Sequence, residues 1–102
     1  MNIVTRTRLE EFWARHPDAE EPLTTWYNAA LRARWRNMME VRHRFPHADA
    51  VRVASGRSVT VFNMGGNKYR LVTAIHYNRR LIFVLRVLTH AEYSKGRWKE
   101  QL

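Results

Sequence analysis

Six basic and aromatic side chains in the last third of the sequence have the types that RNA cleavage without a metal requires. They are Lys68, Arg70, Arg86, His90, Tyr93 and Lys95. In that reaction a base removes the proton of a 2′-hydroxyl, cations stabilise the charge that builds on the attacked phosphate, and an acid protonates the leaving 5′ oxygen. Arginine suits a bidentate phosphate contact, and lysine acts as a point charge.

Two members of this group are candidates for proton transfer. His90 is one, because histidine ordinarily titrates near neutral pH. Tyr93 is the other, and its ring could instead stack on a base of the RNA. No single residue fills the general-base role unambiguously. A solvated basic strand face, or polyanion binding without chemistry, is the plain alternative to cleavage.

Other catalytic chemistries find little support. Of the five histidines only His43 and His47 have helical spacing, and Phe45-Pro46 lies between them. The chain has no cysteine, so thiolate metal sites and disulfides are unavailable. No phosphate-binding glycine loop or dinucleotide pattern occurs, and neither Asp18 nor Asp49 stands near a convincing Ser–His pair. We therefore predict no metal site and no cofactor.

The stretch that holds the candidate residues contains three runs typical of strands, at 59–64, 68–77 and 81–89, and 90–95 is predicted to begin a turn or short helix. The sequences Gly65-Gly66-Asn67 and Asn78-Arg79-Arg80 separate the three runs, which predicts an antiparallel meander. A three-residue second loop would pair Tyr77 with Leu81 and Lys68 with His90. The odd-numbered residues of both strands then face the helices, and Lys68, Arg70, Arg86 and His90 share an open face over Val72, Ala74, Ile82, Val84 and Leu88. The first hairpin is left open between two inward pairs, Val59 with Val61 and Phe62 with Met64.

The first half of the chain predicts helices that cover this sheet. Thr7-x-x-Glu10 and Asp18-x-x-Glu21 resemble capping boxes at the starts of two helices, and His16-Pro17 should end the first. Asn37 is a candidate cap for a third, shorter helix. Ile3-Val4 and 51–53 could add strands, and 97–102 is predicted to be an exposed tail. The prediction is one α+β domain over 1–102, with N-terminal helices on one face of a small antiparallel β-sheet.

Charge is the most informative feature of the composition. Eighteen Lys and Arg stand against nine Asp and Glu, which gives a net charge of +9 and points to a polyanionic partner. Additional contacts to RNA or the ribosome are predicted for Asn67, Arg86, Lys95, Arg32, Arg34, Arg36, Arg42 and Arg44. No apolar run approaches the roughly 20 residues of a membrane span. These features favour a cytoplasmic location without a membrane partner.

Two blocks of sequence, VFNMGGNKYRLV and THAEYSK, resemble the HigB group of the RelE/ParE-like toxins. The opening IVTRTRLEEFWARHPDAEEPL and the following TTWY are similar to the same group, so the resemblance covers nearly the whole chain. It implies a RelE-like fold and a toxin of a type II toxin–antitoxin system, restrained by a HigA-like helix-turn-helix antitoxin. It also implies endonucleolytic cleavage of mRNA on the translating ribosome.

The resemblance assigns roles to particular residues. Arg70 stands where RelE-like toxins keep a phosphate-stabilising arginine, and His90 stands where the superfamily carries a further catalytic residue after the last strand. Tyr93 matches a tyrosine that follows that strand, and the catalytic role of Lys68 is inferred from its side chain. Members of the same fold poison gyrase without cleaving RNA, so a non-catalytic toxin or binding module is the alternative. The oligomeric state is not predicted.

Overall fold

The computed structural model describes all residues from 1 to 102. After one short strand, three helices come first, four consecutive strands follow and two short helices end the chain, so the α+β prediction is confirmed. The five strands are β1 (Asn2–Val4), β2 (Asp49–Arg52), β3 (Ser58–Met64), β4 (Tyr69–His76) and β5 (Leu81–Thr89). The five helices are α1 (Arg6–Arg15), α2 (Glu20–Arg32), α3 (Met38–Arg44), α4 (His90–Lys95) and α5 (Arg97–Gln101). None of them is long and apolar enough to cross a membrane.

The strands form one sheet in the order β1-β5-β4-β3-β2. Neighbours from β2 to β5 are antiparallel, as expected for a meander. The edge strand β1 differs, because it runs parallel to β5 and pairs Ile3 with Ile82. The chain leaves β1 and passes through the three helices before β2 begins, so the first strand and β5 can meet in the same direction. The sheet is therefore mixed rather than wholly antiparallel.

Apolar residues are buried on both faces of this sheet. The larger cluster, here called the helix-side core, lies between the sheet and α1, α2 and α3, and Leu23, Trp26 and Phe62 are among its fully buried members. The smaller cluster, the outer core, lies on the opposite face and consists of Val53, Val59, Val61, Val72, Leu88 and Trp98. The open first hairpin is thus resolved. Phe62 and Met64 enter the helix-side core, while Val59 and Val61 enter the outer core.

The second hairpin follows the predicted register over only half of its length. Pairs from Tyr69 with Thr89 to Val72 with Arg86 are as predicted, and a β-bulge then shifts the pairing so that Thr73 faces Val84. The loop consequently holds four residues, 77–80, and His76 pairs with Leu81. An extra residue in one strand places the side chains on its two sides in opposite registers, so those beyond the bulge from the correctly paired end change face.

The bulge overturns the predicted faces for the first half of β5. Ile82 and Val84 enter the helix-side core, where Leu81, Phe83 and Leu85 were expected. Leu85 packs on the outer core, and the ring of Phe83 lies 5.3 Å from that of His76. Both faces of this strand are apolar and covered, so the sequence pattern offers no contrast that would reveal the shift.

Several predicted helix ends are also corrected. α1 ends before His16-Pro17 as expected, but its first turn is preceded by Thr5 in a left-handed conformation without a side-chain cap. Asp18 does not cap α2 and lies instead in a short 3₁₀ turn, Pro17–Ala19. Asn37 does cap α3, because its Oδ1 accepts a hydrogen bond of 3.0 Å from the Glu40 amide. The predicted tail is wrong, since 97–101 forms α5 and the side chain of Trp98 is buried.

Candidate functional site

Arg70 lies near the start of β4 on the outer face of the sheet, beside the turn that joins β3 to β4. Its Nη1 donates to the carbonyl oxygens of Asn67 at 3.0 Å and Tyr69 at 3.3 Å. Its guanidinium carbon is 5.2 Å from the ring centroid of Tyr93. Gly65 and Gly66, both at positive φ, allow the tight turn that presents the Asn67 carbonyl. Arg70 is therefore held from two sides, and its Nε and Nη2 donors make no bond within the chain.

Tyr93 is positioned by a capping box at the start of α4. The Thr89 hydroxyl accepts a bond of 3.2 Å from the Glu92 amide, and the Glu92 carboxylate accepts one of 2.9 Å from the Thr89 amide. This reciprocal pair satisfies two donors that a helix start would otherwise leave free. Sequence reasoning quoted these residues within the THAEYSK block but did not identify the cap, although Thr-x-x-Glu is its recognised signal.

Trp98 packs against Tyr93 and was not among the functional residues predicted from the sequence. The two rings are stacked with centroids 5.3 Å apart, and the indole N–H donates to the Tyr93 carbonyl at 3.1 Å. Gly96, at φ 76°, turns the chain between α4 and α5 so that Trp98 can reach the outer core. A single tryptophan in a short polar segment gives no periodicity to read.

His90 is the first residue of α4 and its side chain is exposed. Its Nδ1 lies 3.4 Å from the Ser94 hydroxyl one turn later. Its backbone amide donates to the Lys68 carbonyl at 2.9 Å, which is the predicted pairing of these two residues. The β3–β4 turn and the start of α4 are therefore tied together, and the imidazole is free to meet a substrate.

The side chain of Lys68 does not join Arg70. Its ammonium group lies 2.6 Å from a carboxylate oxygen of Asp18, whose other oxygen accepts a bond from the Tyr69 hydroxyl. The Tyr69 ring packs against Phe12 and His16 in the helix layer. The predicted shared face of Lys68 and Arg70 thus holds for the backbone register only, and the ammonium lies at the helix-side rim of the sheet.

Charge and hydrogen bonding at this rim shift the pKa values of Lys68, Asp18 and Tyr69. The hydrogen bond to Asp18 raises the pKa of the Lys68 ammonium above its usual value. The Lys68 and Tyr69 donors lower the pKa of the Asp18 carboxyl. The same carboxylate raises the pKa of the Tyr69 phenol. Lys68 is accordingly a cation at neutral pH, which suits a phosphate contact and does not suit a general base.

The residues predicted to assist at this site occupy its margins. Arg86 is half-buried, and its Nη1 donates at 2.7 Å to the carbonyl of Leu85 at the bulge. Lys95 is exposed at the end of α4. Asn67 is exposed in the turn, where its side-chain oxygen accepts from Asn63 at 3.2 Å. None of the three side chains makes a hydrogen bond with the Arg70 side chain.

The five predicted RNA-binding arginines lie on the helix layer. Arg32 ends α2, whereas Arg34 and Arg36 follow in the connection to α3 rather than on the helix. Arg36 is paired with Glu40 at 2.8 Å and Arg42 with Asp49 at 3.7 Å, while Arg44 stacks on the Phe45 ring at 4.7 Å. Arg32, Arg34 and Arg44 make no ion pair with a carboxylate.

The amino-acid sequence of this chain is similar to those of known toxins. Residues 19–96 match the HigB toxin family, described as the RelE-like toxic component of a toxin–antitoxin system. The mRNA interferase HigB of Escherichia coli O6:H1 (strain CFT073) is 26% identical over 95 residues, covering 93% of this chain and 90% of that protein. The mRNA interferase toxin HigB of Escherichia coli K12 is 24% identical over 94 residues, covering 92% and 88%.

The match to the family begins after Asp18 and ends before Trp98, and it contains every candidate from Asn67 to Lys95. It spans most of the chain, from the start of α2 through β5 and α4. The chain therefore belongs to the HigB family of RelE-like toxins.

Proposed function

We propose that this chain is an mRNA interferase that cuts mRNA on the translating ribosome, with a 2′-hydroxyl as the attacking group and no metal ion. The relatives' names as mRNA interferases support the activity. The observation that carries the mechanism is Arg70, whose guanidinium is fixed by a turn carbonyl and the Tyr93 ring with its remaining donors free. Preorganised donors of this kind stabilise charge that develops in a transition state.

Arg70 and His90 serve the developing charge and one of the two proton transfers in this reaction. The 2′-oxygen forms a bond to the adjacent phosphorus as its proton leaves, and the bond from phosphorus to the 5′ oxygen breaks as that oxygen gains a proton. Arg70 stabilises the oxyanion of the intermediate, and His90 carries one of the two protons. Tyr93 holds the guanidinium of Arg70, and its hydroxyl makes no bond within the chain. The products are a 2′,3′-cyclic phosphate and a 5′-hydroxyl end.

The ribosome contact is assigned to the arginines of the helix layer. Arg32, Arg34 and Arg44 keep uncompensated charges there, on elements separate from β4 and α4. Ribosomal RNA offers closely spaced phosphates that such residues bind without reading sequence. Substrate phosphate and ribosomal phosphate would thus be held by different parts of the molecule.

A toxin of this family acts with an antitoxin, and we propose a HigA-like helix-turn-helix protein. It would restrain the toxin by docking on the long helices and blocking entry to the ribosome, or by laying an acidic segment over Arg70. Competition between the antitoxin and a short RNA for the toxin separates the two modes. Simultaneous binding of both, with ribosome association also unimpaired, would exclude each of them.

The test uses purified protein, translating ribosomes and a defined mRNA, with primer extension to locate new 5′ ends. We expect cleavage only when ribosomes are present, and none at a mapped position whose nucleotide is replaced by its 2′-deoxy analogue. A mock preparation from cells that do not express the protein serves as the control for a contaminating nuclease. Cleavage of the deoxy substrate at the parent rate would contradict attack by the 2′-hydroxyl. Growth arrest and gyrase inhibition without any cleavage would instead favour a non-catalytic toxin.

A further inference from the structure

The carboxylate of Asp18 is a fixed acceptor at the rim of the candidate site. It belongs to the 3₁₀ turn between α1 and α2, and the Tyr69 hydroxyl holds one of its oxygens. Tyr69 is itself only 7% exposed, with its ring 5.2 Å from that of Phe12. The acceptor is therefore anchored in the helix-side core through one oxygen, while its other oxygen binds the Lys68 ammonium.

The Lys68 side chain bound to it is the more exposed partner of the pair. Lys68 ends the β3–β4 turn, and its backbone is held by the bond from the His90 amide. The side chain is 67% exposed, and that of Asp18 is 48% exposed. Ion pairs with this exposure are weakened by water and salt, so little opposes their exchange for another anion.

A phosphate bound by Arg70 lies within reach of Lys68. Alternate residues along a strand are about 7 Å apart, and a lysine side chain spans nearly that distance. Lys68 precedes the first residue of β4, so its side chain can turn around the end of the sheet from the helix-side rim to the outer face. A phosphodiester presents two oxygens bearing negative charge, as the carboxylate does.

We propose that Asp18 is the resting counter-ion of Lys68, and that an RNA phosphate held at Arg70 displaces it. In the free protein Lys68 is bound to Asp18 and kept apart from Arg70. When RNA arrives, the ammonium exchanges the carboxylate for the phosphate and adds a second cation to the site. The inference rests on the proposed function, since it takes RNA as the displacing anion.

The exchange has a signature in the salt dependence of binding. A lysine that neutralises a phosphate on a single strand normally releases about 0.7 of a counter-ion. Here Lys68 is already paired with Asp18, and the carboxylate set free leaves a negative charge beside the bound strand that offsets the charge of the lysine. The Lys68 contact should therefore contribute almost nothing to the slope in the parent protein. In Asp18→Asn the slope of log K against log salt should become steeper by about 0.7.

The experiment measures binding of the full chain to a short single-stranded oligoribonucleotide whose 2′-hydroxyls are methylated, so that it can be bound but not cut. Asp18→Asn keeps an oxygen to accept the Tyr69 hydroxyl and removes the charge. We expect it to bind several-fold more tightly at low salt with the steeper slope. Glu10→Gln is the matched control, because Glu10 also forms an exposed ion pair, with Arg6 at 3.4 Å, and its loss changes net charge equally.

Three results would overturn the proposal. They are equal effects of Asp18→Asn and Glu10→Gln, a gain from Asp18→Asn that persists when Lys68 is also replaced by alanine, and no binding by the parent at any salt concentration. Weaker binding by Asp18→Asn would mean that the carboxylate orients Lys68 productively, which also contradicts displacement. A parent protein that binds with the expected variant effects but never cleaves on ribosomes would disprove the proposed function and leave the exchange standing.

Discussion

Replacing Arg70 by alanine separates a catalytic role from a structural one, because the two predict losses of very different size. The structure gives Arg70 a contact with Tyr93, worth about 0.5–1 kcal/mol at an exposed site. It also gives a bond to the turn carbonyl of Asn67, worth about 1 kcal/mol. The variant should therefore lose about 2 kcal/mol of its free energy of unfolding. At about 4–8 °C per kcal/mol for a domain of this size, Tm should fall by about 8–16 °C.

Such a loss leaves the protein folded. Small domains have a free energy of unfolding of about 5–15 kcal/mol, so at least about 3 kcal/mol would remain and about 99% of the molecules would be native at 25 °C. Unfolding could then lower activity by only about 1%. Removal of one preorganised donor at a developing oxyanion costs about 100- to 1000-fold in rate. The catalytic effect should exceed the structural effect by at least two orders of magnitude.

The assay compares cleavage of a ribosome-bound mRNA at 25 °C with thermal unfolding followed by circular dichroism and with ribosome binding measured by sedimentation. Arg8→Ala is the matched control, because Arg8 also donates to a strand carbonyl, that of Leu85 at 3.2 Å. It should change Tm a little and leave cleavage intact. Parent-rate cleavage by Arg70→Ala would place the reaction elsewhere. A loss of cleavage that follows the unfolded fraction would make Arg70 a structural residue.

Three further variants test the remaining assignments. His90→Gln should lower the cleavage rate by about 100- to 10,000-fold with Tm unchanged if the imidazole moves a proton, and a rate near that of the parent would remove it from the mechanism. Trp98→Ala should lower the free energy of unfolding, measured by chemical denaturation, by about 3–5 kcal/mol, because it leaves a cavity in the outer core and removes the ring stacked on Tyr93. A loss below about 1 kcal/mol would show that the fold does not depend on α5. Joint reversal of Arg32 and Arg34 to glutamate should weaken ribosome binding and reduce its salt slope by about two, whereas unchanged binding would make them ordinary solvated surface.

Local signals in the sequence were sufficient for much of the fold. The Gly65-Gly66 turn, the proline after His16 and the cap at Asn37 act over a few residues, and each is found where its pattern predicts. The pairing of Lys68 with His90 was also recoverable, because burial favoured one register. These features depend on the backbone and on residues close in sequence.

Features set by distant residues could not be predicted. The Asp18-x-x-Glu21 pattern is a reasonable cap, yet two donors 50 and 51 positions away bind the carboxylate instead. The bulge in β5 has no signal in the sequence, because both faces of this part of the strand are apolar. Phe83 and Ile82 therefore lie on the faces of the sheet opposite to those predicted. The burial of Trp98 depends on valines from three other segments of the chain.

The order of the strands affects when the sheet can form during synthesis of the chain. β5 lies between β1, which precedes it by most of the described chain, and β4, which comes directly before it. The sheet cannot close on the ribosome until 81–89 has left the exit tunnel, and Tyr93 cannot meet Arg70 until α4 and α5 follow. The contact between Arg70 and Tyr93 is consequently among the last parts of the described structure that can form as the chain emerges.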